Sequence, residues 1–287
     1  MKELVIISGK GGTGKTSLTA CFAFLAPNKV LADCDVDAAD LHILVHPEIH
    51  HEEDFRGAAK AAIDREKCSQ CQKCRETCRF GAINAELVVN PLSCEGCGVC
   101  VHVCSEQAVS LEEGLNGHWC ISDTRFGPMV HASLFPGAEN SGKLVALVRN
   151  QARDLARKKE IPLVLVDGAP GVGCPVISSL TGADRVLIVT EPTLSGLHDM
   201  ERAMQLVRRF RIPVWVAINK CDINPEVADR IEQVALRNES KVIGRIPYDP
   251  EVIQSMVQRR CAVENGDSSA SRAIRGIWER LAPDLLS

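Results

Sequence analysis

Two sets of residues in this chain have the types and spacing to do chemistry. The first is Gly9-Lys10-Gly11-Gly12-Thr13-Gly14-Lys15-Thr16, directly after the apolar run Leu4-Val5-Ile6-Ile7. It fits G-x-x-x-x-G-K-[ST] in the strand, loop, helix setting of a phosphate-binding loop. Glycines there let backbone N–H groups curl round an anion that a Cβ would keep away, and the following helix points its N-terminus at the same anion. Lys15 is placed for β- and γ-phosphates and Thr16 for Mg²⁺. The second set is eight cysteines in two equal frames, Cys68-x2-Cys71-x2-Cys74-x3-Cys78 and Cys94-x2-Cys97-x2-Cys100-x3-Cys104, whose first members are 26 residues apart. Small residues such as Ser69, Gly96 and Gly98 let the coil tighten so that thiolates converge on one metal centre. C-x2-C pairs also build zinc sites, but the unbroken three-cysteine runs favour iron–sulfur cubanes.

The elements that must hold these sets read as α/β. Residues 15–25 form a helix, and Lys29-Val30-Leu31-Ala32 is a second buried strand running into Asp33-Cys34-Asp35-Val36-Asp37-Ala38-Ala39-Asp40. Carboxylates at a strand's C-terminal end lie on the ligand side of an open α/β sheet. Asp37 and Asp40 read as caps or solvated groups. His42, His46, His50 and His51 read as a boundary loop. Residues 118–135 alternate enough for strands, and Glu139 to Lys159 reads as a helix with Arg153, Arg157, Lys158 and Lys159 on a solvated face. Leu163-Val164-Leu165-Val166-Asp167 is an apolar strand presenting one carboxylate, the pattern that serves a Mg²⁺ shell. Cys174 precedes Pro175 at a helix start, a position that favours thiolate. Two further strands, at 184–190 and 214–218, flank a helix at 195–210. A last helix at about 268–282 carries Ile274, Ile277, Trp278 and Leu281 on one face, with Pro283-Asp284 as its stop.

Bulk composition sets limits. The 287 residues suffice for one large α/β domain and something small. A net charge of −4 gives no general attraction to nucleic acid or anionic lipid, and aromatics at 4% are too few for base stacking to be a theme. No apolar run approaches the roughly 20 residues that span a bilayer. Fourteen cysteines point to metal ligation in a reducing compartment, so the chain is expected in the cytoplasm, without membrane or nucleic-acid partners.

With Lys10 after its first glycine, the loop resembles the deviant Walker motif of the MinD/ParA-type ATPases, a class that includes the nitrogenase iron protein and the Mrp-type scaffold ATPases. The resemblance implies a doubly wound, mostly parallel P-loop sheet and a nucleotide-sandwich homodimer in which Lys10 reaches the partner's phosphates. It implies catalytic roles for Lys10, Lys15 and Asp35, and Mg²⁺ at Thr16, Asp35 and Asp167. ATP contacts would come from Gly9, Gly11, Gly12, Thr13, Gly14, Lys15, Thr16, Ser17, Asp167, Gly171, Asn219, Lys220 and Pro247. Asn219-Lys220-Cys221-Asp222 can read guanine in GTPases, but in this class the asparagine contacts adenine. Cys174 lies where the iron protein holds a bridging cluster, which makes it a possible metal ligand at the dimer interface.

The cysteine frames resemble bacterial two-cluster ferredoxins, and Cys78-Arg79-Phe80-Gly81-Ala82-Ile83 resembles their C-P-x-G-A-I ending. The usual proline after each fourth cysteine is here Arg79 or Ser105. By this resemblance cluster I takes Cys68, Cys71, Cys74 and Cys104, and cluster II takes Cys94, Cys97, Cys100 and Cys78. The expected organisation is a P-loop ATPase domain at 1–49 and 116–287, with a small ferredoxin-like domain carrying two [4Fe-4S] clusters inserted at 50–115. The implied function couples ATP hydrolysis to electron transfer, or to metal or iron–sulfur cofactor assembly, with a redox or assembly protein as partner. The alternative is a non-redox scaffold or positioning protein with structural clusters.

Overall fold

The computed structural model describes residues 1–136, 138 and 141–286. The chain divides into two compact units: Met1–Glu52 with Trp119–Ser133 and Ser141–Ser287, and Glu53–His118 with Leu134–Asn140.

In the first unit, β1 (Lys2–Ser8), β2 (Lys29–Asp33), β6 (Leu163–Pro170), β7 (Arg185–Thr190), β8 (Val214–Asn219) and β9 (Lys241–Ile246) are parallel strands, ordered β2-β6-β1-β7-β8-β9. On the other side of β2 come β5 (Gly127–Leu134), parallel to it, then β4 (Val109–Thr124) and β3 (Glu48–Ile63). Residues of β3 after Glu52 and of β4 before Trp119 belong to the second unit. The central strands are apolar without alternation because both their faces are covered, and Leu4 to Ile7 and Leu163 to Val166 have no exposed surface.

The helices are α1 (Lys15–Leu25), α2 (Leu41–Val45), α5 (Ser141–Lys158), α6 (Cys174–Leu180), α7 (Leu194–Arg209), α8 (Pro225–Arg237), α9 (Pro250–Val257) and α10 (Ser269–Leu285). The expected start of α5 at Glu139 and Asn140 lies outside the described residues. None of the described helices is long and apolar enough to cross a membrane.

Four expectations are corrected. Pro283 does not stop α10, which continues to Leu285. Arg185 Nη2 donates to Asp284 Oδ1 at 3.1 Å and Leu285 is buried, so tertiary contacts hold the last turn past the proline. Arg153 is not on a solvated face: its Nε donates to Glu3 Oε2 at 2.7 Å, while the buried Arg149 donates to Glu3 Oε1 at 2.8 Å. Glu3 therefore sits inside the sheet as the shared anion of two arginines. His50 and His51 lie in β3 rather than in a loop, with His50 Nε2 2.9 Å from Asp123 Oδ2 and the His51 ring 5.2 Å from that of Trp119. His42 lies in α2, and His46 caps that helix in the left-handed region.

The second unit holds the long ends of β3 and β4 and two one-turn helices, α3 (Lys73–Glu76) and α4 (Val99–His102). Its two cysteine frames share one backbone course. Gln70 and Gln72 have φ 59° and 62°, and the corresponding Gly96 and Gly98 have 62° and 75°. Left-handed backbone at both positions turns the coil back on itself, and glycine meets this at no steric cost while glutamine bears strain. Among the described residues its core is Ala61, Cys74, Ala82, Ile83, Leu87, Cys94 and Val109, with Cys68, Cys78, Cys100 and Cys104 packed against it. So small a core cannot hold a fold by burial alone.

Gly96 is the tightest point, since a Cβ there would collide with the Ala59 carbonyl oxygen, whereas one at Gly81 would meet nothing. Gly96→Ala is expected to destabilise the second unit by about 3 kcal/mol and Gly81→Ala by about 1 kcal/mol. Denaturant unfolding of the two variants checks the order, and equal losses would contradict it.

Candidate functional site

The C-terminal ends of β1, β2, β6, β8 and β9 open onto one cavity of about 630 Å³. Its phosphate side is the loop Gly11-Gly12-Thr13-Gly14-Lys15-Thr16-Ser17. Gly12 and Gly14 have φ of 79° and 89°, and a Cβ on Gly14 would strike the Asn219 amide nitrogen. That amide donates to the Thr13 carbonyl at 2.8 Å, and Asn219 Oδ1 accepts the Lys220 N–H at 3.0 Å. Asn219 is thus a brace on the phosphate loop, which the sequence reading, centred on the base, did not anticipate.

Below the loop lies the charge centre. The register of β2 on β6 pairs Asp33 with Asp167. Lys15 Nζ lies 2.9 Å from Asp167 Oδ1, 3.4 Å from Asp35 Oδ2 and 3.4 Å from Thr16 Oγ1. Burial works against the Lys15 charge, but Asp167 and Asp35 more than offset this and hold its pKa above the ordinary value. Asp33 is fully buried, and desolvation together with the Asp167 charge pushes it well above the usual carboxylate range. Asp35 is raised more modestly, again by burial first. Asp33 accepts the N–H groups of Asp35 at 3.1 Å and Leu41 at 3.3 Å, and so shapes the loop that carries Asp35. This role was missed, although the D-x-D spacing was visible. Asp167 Oδ2 and Thr13 Oγ1 are buried with no hydrogen-bond partner among the described residues. The donor set of Thr16, Asp35 and Asp167 is all oxygen, and with an unpaired carboxylate oxygen it fits Mg²⁺.

The far side of the cavity is apolar, made by Pro247, Tyr248, Val252, Ile253 and Met256. Helix α9 went unrecognised in the sequence, although Asp249-Pro250 is a good helix opening. Asp249 accepts from Ala270 N, Glu251 N and Ser269 Oγ, which depress its pKa to about 2 and fasten α9 to the start of α10. Asp222 accepts the Tyr248 N–H at 2.6 Å, so the carboxylate that could read guanine is spent on this wall. Asp37 and Asp40 line the rim and are exposed, and Lys220 lines the cavity beside Asn219.

Other expected residues lie beside the cavity. Gly9 is pressed under α7, where a Cβ would meet the Asp199 backbone. Lys10 Nζ lies 2.7 Å from Glu191 Oε1 and 3.1 Å from Ser195 Oγ. Glu191 also faces Lys220 at 3.4 Å, and the lysines outweigh burial to lower its pKa. Gly171, at φ 91°, donates its N–H to the Ser8 carbonyl at 2.8 Å. Cys174 is exposed at the first residue of α6, while Cys120 is buried in β4.

The second unit has two small cavities. One is lined by Cys68, Cys71, Cys74 and Cys104, the other by Cys78, Cys94, Cys97 and Cys100. Amide N–H groups point at two of the sulfurs: Ala108 N to Cys104 Sγ at 3.3 Å, and Ala61 N to Cys94 Sγ at 3.4 Å.

Residues 4–260 match the family model for the CobQ/CobB/MinD/ParA nucleotide binding domain. An uncharacterised protein of Methanocaldococcus jannaschii is 30% identical over 284 residues, covering 97% of this chain and 96% of that protein. The septum site-determining protein MinD of Bacillus subtilis is 25% identical over 170 residues, 56% of this chain and 62% of that one. Among solved structures, MinD of Pyrococcus horikoshii complexed with Mg-ADP superposes with a TM-score of 0.59 at 15% identity, covering 98% of this chain and 95% of that chain. At that identity the likeness is one of fold.

Three carboxylates around one ammonium make the charge centre pH-sensitive. A raised native pKa means the native state binds the extra proton, so Asp33 costs stability as pH climbs through the usual carboxylate range toward its own pKa. Asp33→Asn is expected to gain thermal stability over the parent at pH 7 to 8, and to lose that advantage as pH falls toward about 4. Melting curves across this range check it, and an advantage that grows on acidification would contradict it.

Proposed function

The chain belongs to the CobQ/CobB/MinD/ParA family of P-loop nucleotide-binding proteins, and from that premise we propose that it is an ATP-hydrolysing iron–sulfur protein in which a nucleotide-dependent homodimer drives electron delivery. The observation that carries this reading is the pair of four-thiol cavities on a chain that also holds the phosphate cavity. Each cavity takes three thiols from one frame and one from the other, the partition that two-cluster ligation needs.

On the nucleotide side, the glycine loop and Lys15 receive the β- and γ-phosphates. When bound, Mg²⁺ at Thr16, Asp35 and Asp167 supplies charge neutralisation at the phosphate oxygens. Lys15 then turns from the acid pair to the phosphates. Asp35 orients the attacking water, held in place by Asp33 beneath its loop. Lys10 leaves Glu191 to meet the phosphates of the second subunit. Pro247, Tyr248 and α9 shelter an adenine, with Asp222 unable to serve guanine while it holds Tyr248. The bound clusters supply one-electron redox chemistry, and each site is closed by four protein thiols, with Cys74 and Cys94 buried. Such ligation suits a resident centre better than cargo, which favours electron delivery over cluster transfer.

Anaerobically purified protein is expected to hold about eight iron and eight sulfide per chain and to bleach with dithionite. It should reoxidise with a one-electron acceptor without losing iron. Iron passing to an apo-acceptor would favour cofactor assembly, and redox-silent metal would favour the scaffold reading. Separately, Lys10→Ala should keep the iron and still bind ATP but hydrolyse it at least tenfold more slowly, since a cation supplied to transferring phosphate is worth at least that much. Unchanged turnover would refute the trans role of Lys10.

A further inference from the structure

Three consecutive residues of β3 lie on the turn that opens the second cysteine frame. The Ala59 carbonyl sits where any side chain at position 96 would have to go. The Lys60 ammonium donates to the Cys94 carbonyl oxygen. The Ala61 N–H donates to Cys94 Sγ at 3.4 Å. One ligand of the second cavity thus has a cation on its backbone and an amide on its sulfur. The first cavity is served differently. Its Cys104 sulfur accepts the Ala108 N–H, but the Cys74 and Cys104 carbonyls take neutral donors, the Thr77 hydroxyl and the Gln107 N–H. Each rim also carries one carboxylate, Glu106 on the first and Glu95 on the second, and the cation on the first rim, Lys73, is exposed.

We infer that Lys60 selectively raises the reduction potential of the centre in the Cys78/Cys94/Cys97/Cys100 cavity. This rests on the iron–sulfur reading above. Reduction adds one electron, and so one negative charge, to a centre that already carries thiolates. A cation fixed beside a ligand stabilises the reduced form more than the oxidised form. Lys60 is half-buried and tied to one carbonyl, so solvent screens it less than the exposed Lys73. Its role is positioning of charge, and it ligates nothing.

The test is an anaerobic potentiometric titration of the full-length protein followed by electron paramagnetic resonance, on the parent, Lys60→Gln, Lys60→Arg and Lys73→Gln. Lys60→Gln is expected to move one of the two midpoints three- to tenfold toward the oxidised form, about 30 to 59 mV for one electron, leaving the other in place. Lys60→Arg should stay within twofold of the parent, and Lys73→Gln should shift either centre by less than threefold. The inference is overturned if Lys60→Gln moves neither midpoint or both equally, or if Lys60→Arg shifts as far. It is also overturned if both Lys60 variants lose iron, which would make the side chain a structural anchor only. Parent protein without iron would fail earlier, in the metal assay, and would sink the underlying reading instead.

Discussion

Two carboxylates share one ammonium at the heart of this fold, with a third buried beside them. Parallel pairing of β2 with β6 sets Asp33 beside Asp167, the turn after β2 brings up Asp35, and Lys15 is the cation among them. None of these charges would stay buried alone, because desolvation would neutralise it. Together they form a centre that is electrostatically unfinished, with a buried Asp167 oxygen still unpaired. On the reading proposed above, an incoming polyphosphate and its metal would complete the set with charges of both signs, and Lys15 would turn to the phosphates. On that reading binding and rearrangement would be one event, which is how such a loop can act as a switch.

The surroundings serve that centre. Asn219 braces the phosphate loop, Asp249 fastens α9, and the Glu3 pair with Arg149 and Arg153 ties α5 to the first strand. Lys10 is held by Glu191 and Ser195. In the second unit the constraint is of another kind. Its apolar core is small, and its backbone is forced left-handed at matched positions in both frames. On the iron–sulfur reading proposed above, ligation by its eight thiols would supply the missing stability, since ligation contributes folding energy directly.

Signals confined to a few neighbouring residues were legible in the sequence. The phosphate loop and the cysteine frames each need fixed short spacings, and the buried strands need unbroken apolar runs. What was not legible depends on partners far along the chain. Glu3 looks like a solvated residue until Arg149 folds onto it. That the Asn219 amide also braces Thr13 shows only once the loop and β8 are brought together. The stretch Glu48–Ile63, rich in charge and alanine, shows no alternation, yet it forms a strand of 16 residues at the end of the sheet. Pro283 reads as a stop, and only the contacts of Asp284 and Leu285 carry the helix past it.

A phosphate-responsive charge centre and paired thiol cradles on one polypeptide make sense if the state of one alters the other. The most direct measurement is the midpoint potential of the bound centres in the presence and absence of MgATP, on the parent and on Asp35→Asn. The account expects at least one midpoint of the parent to shift on adding MgATP and to return as the nucleotide is hydrolysed, with the shift persisting in the variant. Potentials that ignore saturating MgATP in both proteins would contradict it.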